Sequence, residues 1–145
     1  MKIAFGCDPN AARLKINLMG LCAKLGHETE DFGSEDPVYA NTAILVAEAV
    51  AARKYDRGIL VCGTGLGMEI AANKVRGAYA ALLTDVYSAE RAVKSNNSNI
   101  ACLGAFTIGE KLAEELVKVW LSCRFDESST SAAKVARYRA YDLSR

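Results

Sequence analysis

Gly58-Ile-Leu-Val-Cys-Gly-Thr-Gly-Leu-Gly-Met-Glu-Ile-Ala-Ala-Asn-Lys74 reads as a strand that runs straight into a glycine-rich turn and then a helix, with a thiol at the junction. The apolar run Gly58 to Val61 follows the polar Lys54-Tyr-Asp-Arg57, which is the pattern of a strand buried on both faces. Gly63, Gly65 and Gly67 let the chain turn sharply, and the helix starts near Thr64 or Leu66. The first amides of such a helix are unpaired and carry the positive end of its dipole, so a phosphate, a carboxylate or a developing enediolate is stabilised there. Thr64 is placed to be an N-cap, an oxyanion donor, or both. Cys62 becomes a candidate nucleophile or base beside anion-holding amides.

Outward from this stretch, apolar strands alternate with amphipathic helices along the chain. Strands are expected near 2–7, 28–32, 57–61, 77–82 and 98–103, and helices near 11–25, 40–53, 66–74, 86–94 and 108–122. This βαβ series predicts an α/β fold with a five-stranded parallel sheet and helices on both faces. Ligands of such sheets gather where strands end. That places Cys7-Asp8-Pro-Asn10, Cys62 to Gly67 and Thr84-Asp85 together, with Asp8 serving equally well as a helix N-cap. The three amides Asn96, Asn97 and Asn99 precede or enter the fifth strand, where turns alone account for them. A last helix near 129–142, opened by Ser128-Ser-Thr-Ser131 as its cap, has little apolar periodicity and so poor reason to pack on its own sheet. It reads as an arm onto a neighbouring subunit, or as an ordinary solvated terminal helix.

The 145 residues, 51% hydrophobic with a formal net charge of +1, are the size of one domain spanning 1–145. Near-neutral charge without a long basic run argues against nucleic acid and for a small-molecule ligand. Met1 to Asp8 reads as a first strand and not a secretion signal, and no segment is long enough to span a membrane. Five scattered cysteines suit free thiols in a reducing cytoplasm. Cys22, Cys102 and Cys123 read as packing, since free cysteine is among the most buried residue types. Only Cys62 stands at a strand end against a glycine loop. One histidine, His27, and no clustered ligands leave a structural zinc site without support. The turn is neither a GxxxxGK[ST] cradle nor a dinucleotide fingerprint.

Taken with Ile3-Ala-Phe-Gly-Cys-Asp8, Ala71-Ala-Asn-Lys74, Tyr87-Ser-Ala89 and Asn96, the loop Cys62-Gly-Thr-Gly-Leu-Gly67 resembles the ribose-5-phosphate isomerase B family, which includes the galactose-6-phosphate isomerase subunits. The resemblance covers nearly the whole chain. It implies a Rossmann-like αβα sandwich, a homodimer or homotetramer with active sites at the subunit interface, and aldose–ketose isomerisation through an enediolate with no cofactor or metal. On this pattern Cys62 moves a proton between C1 and C2. The loop Gly63, Gly65 and Gly67 holds the charged oxygen with help from Thr64. Asp8, Asn10, Tyr39, Ser95, Asn96 and Asn97 are then candidate substrate contacts, and Lys134 and Arg137 candidate phosphate contacts. The thiolate is the reactive form, and one base can take a proton from one carbon and return it to the next.

The departures from the family pattern point to the substrate. A histidine usually precedes the residue matching Asn96, and here Ser95 stands there; another usually follows the match of Asp8, and here it is Pro9. Phe106, Thr130 and Lys134 stand where phosphate-holding arginines are expected. A pentose 5-phosphate closes to a furanose that its isomerase must open. In a tetrose 4-phosphate O4 is blocked and the chain stays open, so no ring-opening histidine is required. Tyr87-Ser-Ala-Glu-Arg-Ala-Val-Lys-Ser-Asn-Asn97 with Tyr39-Ala-Asn41 also resembles the branch acting on erythrose 4-phosphate and erythrulose 4-phosphate. The lost arginines cut the other way, with Lys134, Arg137, Arg139 and Arg13 as replacements. Ribose 5-phosphate, galactose 6-phosphate, an unphosphorylated sugar and a non-catalytic subunit of a paired isomerase remain as alternatives. The intact Cys62 loop argues against the last. Glu69 reads as a surface residue.

Overall fold

A computed structural model describes residues 1–144 of the chain. The run at 58–61 lies within its central strand, and all six residues of that strand are buried. Five parallel strands, β1 (Lys2–Cys7), β2 (Glu28–Asp31), β3 (Arg57–Cys62), β4 (Ala80–Leu82) and β5 (Ile100–Gly104), lie in the order β2-β1-β3-β5-β4. Between and after them come α1 (Ala12–Lys24), α2 (Tyr39–Ala51), α3 (Leu66–Ala72), α4 (Val86–Lys94), α5 (Glu110–Ser122) and α6 (Ala132–Leu143). This is the expected Rossmann-like α/β sandwich.

Successive strand side chains point to opposite faces, and the core divides accordingly. Ile3, Phe5, Ile59, Val61 and Leu103 pack against Leu18 of α1, Val93 of α4 and Trp120 of α5. Ala4, Leu60, Cys62, Ile100 and Cys102 pack against Val46 of α2 and Met68 of α3. Each such aliphatic side chain, fully buried, contributes roughly 1.5–3 kcal/mol. The chain leaves β1 for β2 on one side and then crosses to β3 on the other. The carboxyl ends of β1 and β3 therefore flank the switch point where open sheets bind ligands.

Several sequence readings shift. The strand expected over 77–82 shortens to Ala80–Leu82. Tyr79 N–H donates to Asn99 Oδ1 at 2.7 Å and Asn99 Nδ2 donates to Gly77 C=O at 2.8 Å, so a side chain stands in for the ladder partner. Asn99 is thus more than a turn residue. The serine cap at 128–131 does not form: Ser131 makes no side-chain cap hydrogen bond, and Asp126 takes both the N–H and the hydroxyl of Ser128. Asp8 caps not α1 itself but a short 3-10 turn over Pro9–Ala11 that precedes it, accepting from Asn10 N–H at 2.9 Å.

The last helix α6 does pack on its own chain, against the expectation that its weak apolar periodicity gives it poor reason to. Val135 is buried, the Tyr138 ring meets Tyr79 at 5.4 Å, and the Tyr138 hydroxyl donates to Asn96 C=O. Asp142 accepts from Gly77 N–H at 2.7 Å. Polar and aromatic contacts do what apolar periodicity does elsewhere. Among the described residues no helix is long and apolar enough to cross a membrane.

Candidate active site

Cys62 ends β3 with 6% of its surface exposed, and the backbone folds back onto its sulfur: Gly65 N–H donates to Sγ at 3.1 Å. Gly65, at φ +82°, is the N-cap of α3. That left-handed turn brings its amide round to the thiol, a conformation a side chain would oppose. Thr64 is therefore not the N-cap. Its Oγ1 nonetheless accepts Leu66 N–H at 3.3 Å, which leaves the hydroxyl proton of this exposed residue to donate elsewhere.

Three neighbours fix the loop. Ala105 N–H donates to Cys62 C=O at 2.8 Å and Phe106 N–H to Gly63 C=O at 2.9 Å, so the chain after β5 runs alongside. Gly104 lets it come that close, since a Cβ there would stand 2.7 Å from the Thr64 carbonyl. Tyr39, the first residue of α2, lies with its ring and hydroxyl directly against Gly67, where any Cβ would collide with it. Asp8 N–H donates to Val61 C=O at 2.9 Å, which sets Asp8 beside Cys62 across the β1–β3 junction, with the exposed Asn10 two residues on. The structure thus gathers Asp8, Asn10, Tyr39, Cys62, Gly63, Thr64, Gly65 and Gly67 at one sheet edge.

The other thiols are packing groups. Burial pushes Cys7 up to about 11 and Cys22 up to about 12, and Cys102 is raised well above the ordinary value by burial and then by Glu69 and Cys62. All five cysteines are free. Glu69 is not a surface residue: half-buried on α3, its Oε1 accepts Leu82 N–H at 3.1 Å. Asn73, one turn on, accepts Ala80 N–H at 2.8 Å and donates to Ala80 C=O at 3.0 Å. These two side chains occupy the free edge of β4, which would otherwise present unpaired backbone groups. The sequence reading missed this, although the four-residue spacing of Glu69 and Asn73 puts both on one helix face.

Ser95, Asn96, Asn97, Lys134 and Arg137 are not brought to Cys62. The helix α4 starts at the carboxyl end of β4 and returns the chain to the amino end of β5, so Ser95 to Asn97 lie at the opposite edge of the sheet. Lys134 and Arg137 are exposed on α6, which is anchored to Gly77, Tyr79 and Asn96 at that same edge. The five residues of β5 separate the two groups by roughly 15 Å. Arg139 is engaged by Glu127 at 3.5 Å. Among the described residues no group of three His, Cys, Asp or Glu side chains stands together as a metal site.

The family model described as Ribose/Galactose Isomerase matches residues 3–138. The chain is 42% identical to a D-erythrulose-4-phosphate isomerase from Pectobacterium atrosepticum, over 98% of this chain and 95% of that protein. It is 47% identical to a ribose-5-P isomerase B from Listeria innocua, with 93% of each covered. Among solved structures, ribose-5-phosphate isomerase B of Clostridium thermocellum superposes with a TM-score of 0.92 at 37% identity, covering 99% of both chains.

Proposed function

This chain belongs to the ribose/galactose isomerase family and is an aldose–ketose isomerase of sugar phosphates, and from that premise we propose that it interconverts erythrulose 4-phosphate and erythrose 4-phosphate with Cys62 as the proton-transfer base. The observation that carries the role of Cys62 is the Gly65 amide on its sulfur: a thiol at a strand end, held by the same loop that can hold an oxyanion. In the ketose-to-aldose direction the Cys62 thiolate takes the proton from C1, and the electron pair moves to form the C1–C2 enediolate. The charge on the C2 oxygen meets the loop amides and the Thr64 hydroxyl. The proton of the C1 hydroxyl passes to the C2 oxygen, and the thiol then returns its proton to C2, leaving an aldehyde at C1, a hydroxyl at C2 and the thiolate regenerated. Asp8, Asn10 and Tyr39 hold the remaining hydroxyls.

Chemistry at one position above all favours the tetrose. Ser95 stands where the ring-opening histidine is expected, and a serine cannot shuttle a proton to a ring oxygen near neutral pH; Pro9 stands in place of a second family histidine. The one histidine, His27, lies beside the N-terminal amine, 3.4 Å from it, remote from both groups of site residues. A 4-phosphate of a four-carbon sugar requires no such shuttle. The name of the Pectobacterium relative agrees with this choice.

The working unit in this reading is the whole chain, 1–145, as a dimer or tetramer in the cytoplasm. One copy offers the Cys62 edge, and a second offers Ser95, Asn96, Asn97, Lys134 and Arg137 from its opposite edge. Leu45, Leu66 and Ile70, each about half exposed on α2 and α3 beside the loop, provide apolar surface for such a contact. The test is to offer erythrulose 4-phosphate, ribose 5-phosphate and galactose 6-phosphate in D2O and follow exchange at carbon. Exchange with the tetrose, lost in Cys62→Ala, is expected; equal exchange in Cys62→Ala would sink the role of Cys62, and preference for either longer sugar would sink the choice of tetrose.

A further inference from the structure

A concavity of about 300 Å3 opens at the Cys62 edge of the sheet on the side covered by α1 and α5. Asn10, Arg13, Phe106, Ile108 and Glu110 line it. It adjoins the loop directly, because the Phe106 ring that forms one wall lies 2.9 Å from where a Cβ on Gly63 would stand. Tyr39 packs against the loop at Gly67, on the α2–α3 side that Cys62 faces. A sugar with C1 and C2 over the end of β3 reaches the concavity with its far end by crossing the strand end past Gly63 to the α1–α5 side.

Arg13 is the only cation among the lining residues. Its side chain is 91% exposed, and its Nη2 stands 3.5 Å from Glu110 Oε2. An exposed ion pair of this kind is weak, so the carboxylate holds the guanidinium over the mouth without committing it. A phosphate dianion offers two oxygens to the guanidinium fork and binds it more strongly than a single carboxylate contact at 3.5 Å. Other cations near this edge are engaged elsewhere: Lys15 is buried on Asp31, and Lys111 pairs with Glu114. Phe106 supplies an apolar wall and no charge.

Resting on the sugar-phosphate reading above, we propose that Arg13, poised by Glu110 and backed by Phe106, receives the phosphate of the substrate and thereby sets specificity for a phosphorylated sugar. The test titrates inorganic phosphate into wild type, Arg13→Gln, Arg13→Lys and the nearby control Lys111→Gln. Phosphate affinity should fall about ten- to a hundredfold in Arg13→Gln, fall less in Arg13→Lys and hold in Lys111→Gln. With erythrulose 4-phosphate, KM should rise in Arg13→Gln by a similar factor while kcat stays within a few-fold, and turnover of unphosphorylated erythrulose should not change. Equal phosphate affinity in Arg13→Gln and wild type overturns the proposal. So does an equal loss in Lys111→Gln, which would mark a general charge effect, or a wild type that does not bind phosphate. If phosphate binding depends on Arg13 but no sugar phosphate is isomerised, the isomerase reading fails and the assignment of the cavity stands.

Discussion

The two edges of the sheet are built to different standards. At the carboxyl edge, Cys62, Thr64 and Tyr39 are fixed by backbone hydrogen bonds and by glycines that admit no side chain. At the amino edge, Asn96, Lys134 and Arg137 are exposed, and the hydrogen bonds at Asn96 run to its backbone, from Tyr138 to its carbonyl and from its N–H to Arg91 C=O, so its side-chain amide remains to meet something else. On the proposed reading, the difference is that between a reacting centre, where small displacements cost rate, and binding groups that act after a partner or substrate has arrived. One edge is a finished half of a site; the other has the character of a contribution.

The sharpest way to break this contrast is to crowd the finished edge. In Gly104→Ala the new Cβ meets the Thr107 hydroxyl and stands 2.7 Å from the Thr64 carbonyl carbon and oxygen, so the loop must move. A shift of a few tenths of an ångström to 1 Å at a reacting centre lowers rate by up to about a hundredfold. We expect kcat to fall roughly ten- to a hundredfold while a cooperative unfolding transition persists, with the overpacking costing about 1–3 kcal/mol of stability. A Gly104→Ala protein as active as wild type would show that the loop tolerates displacement and that the edge is less constrained than its packing implies.

A second experiment asks whether the open edge serves another copy. Cys62→Ala and Asn96→Ala proteins are each made inactive or nearly so, then unfolded together and refolded as a mixture. In a mixed dimer with sites shared between copies, one site carries both substitutions and the other neither. Activity should reappear at roughly a quarter of wild type for random pairing. No recovery, with mixed dimers shown to be present, would mean that Asn96 does not act across the interface.

The Cys62 edge was legible in the sequence because its signals are local. A buried strand, three glycines and a thiol lie within ten residues, and strand ends in a parallel sheet must cluster. Tyr39, Asp8 and the loop follow from the same topology. The placement of Ser95 to Asn97 was equally implied by the alternation of strands and helices, since a loop that enters a strand lies at its amino end. The docking of α6 was not legible. It depends on Tyr79, Tyr138 and Asp142 meeting across about 60 residues of chain, with no periodic apolar stripe to announce it. Glu69 and Asn73 were hidden for another reason: a polar residue that caps a strand edge looks, in sequence, like any polar residue on a helix.

That last feature gives the smallest expected effect and tests whether the two edges are mechanically separate. Asn73 bonds Ala80 through both its amide groups, and α3 carries the Cys62 loop at its other end. Two exposed side-chain hydrogen bonds to backbone contribute about 1–3 kcal/mol together, so Asn73→Ala should lower the unfolding free energy by that amount, read as a lower urea midpoint at unchanged slope, and Asn73→Asp, which keeps the acceptor, by less. If the edges are independent, kcat per folded molecule stays within twofold, because Gly65 and Gly104 hold the loop without reference to β4. A drop in kcat beyond the loss of folded protein would mean that α3 transmits strain along its seven residues, and the contrast between a finished edge and a contributing one would have to give way to a single coupled unit.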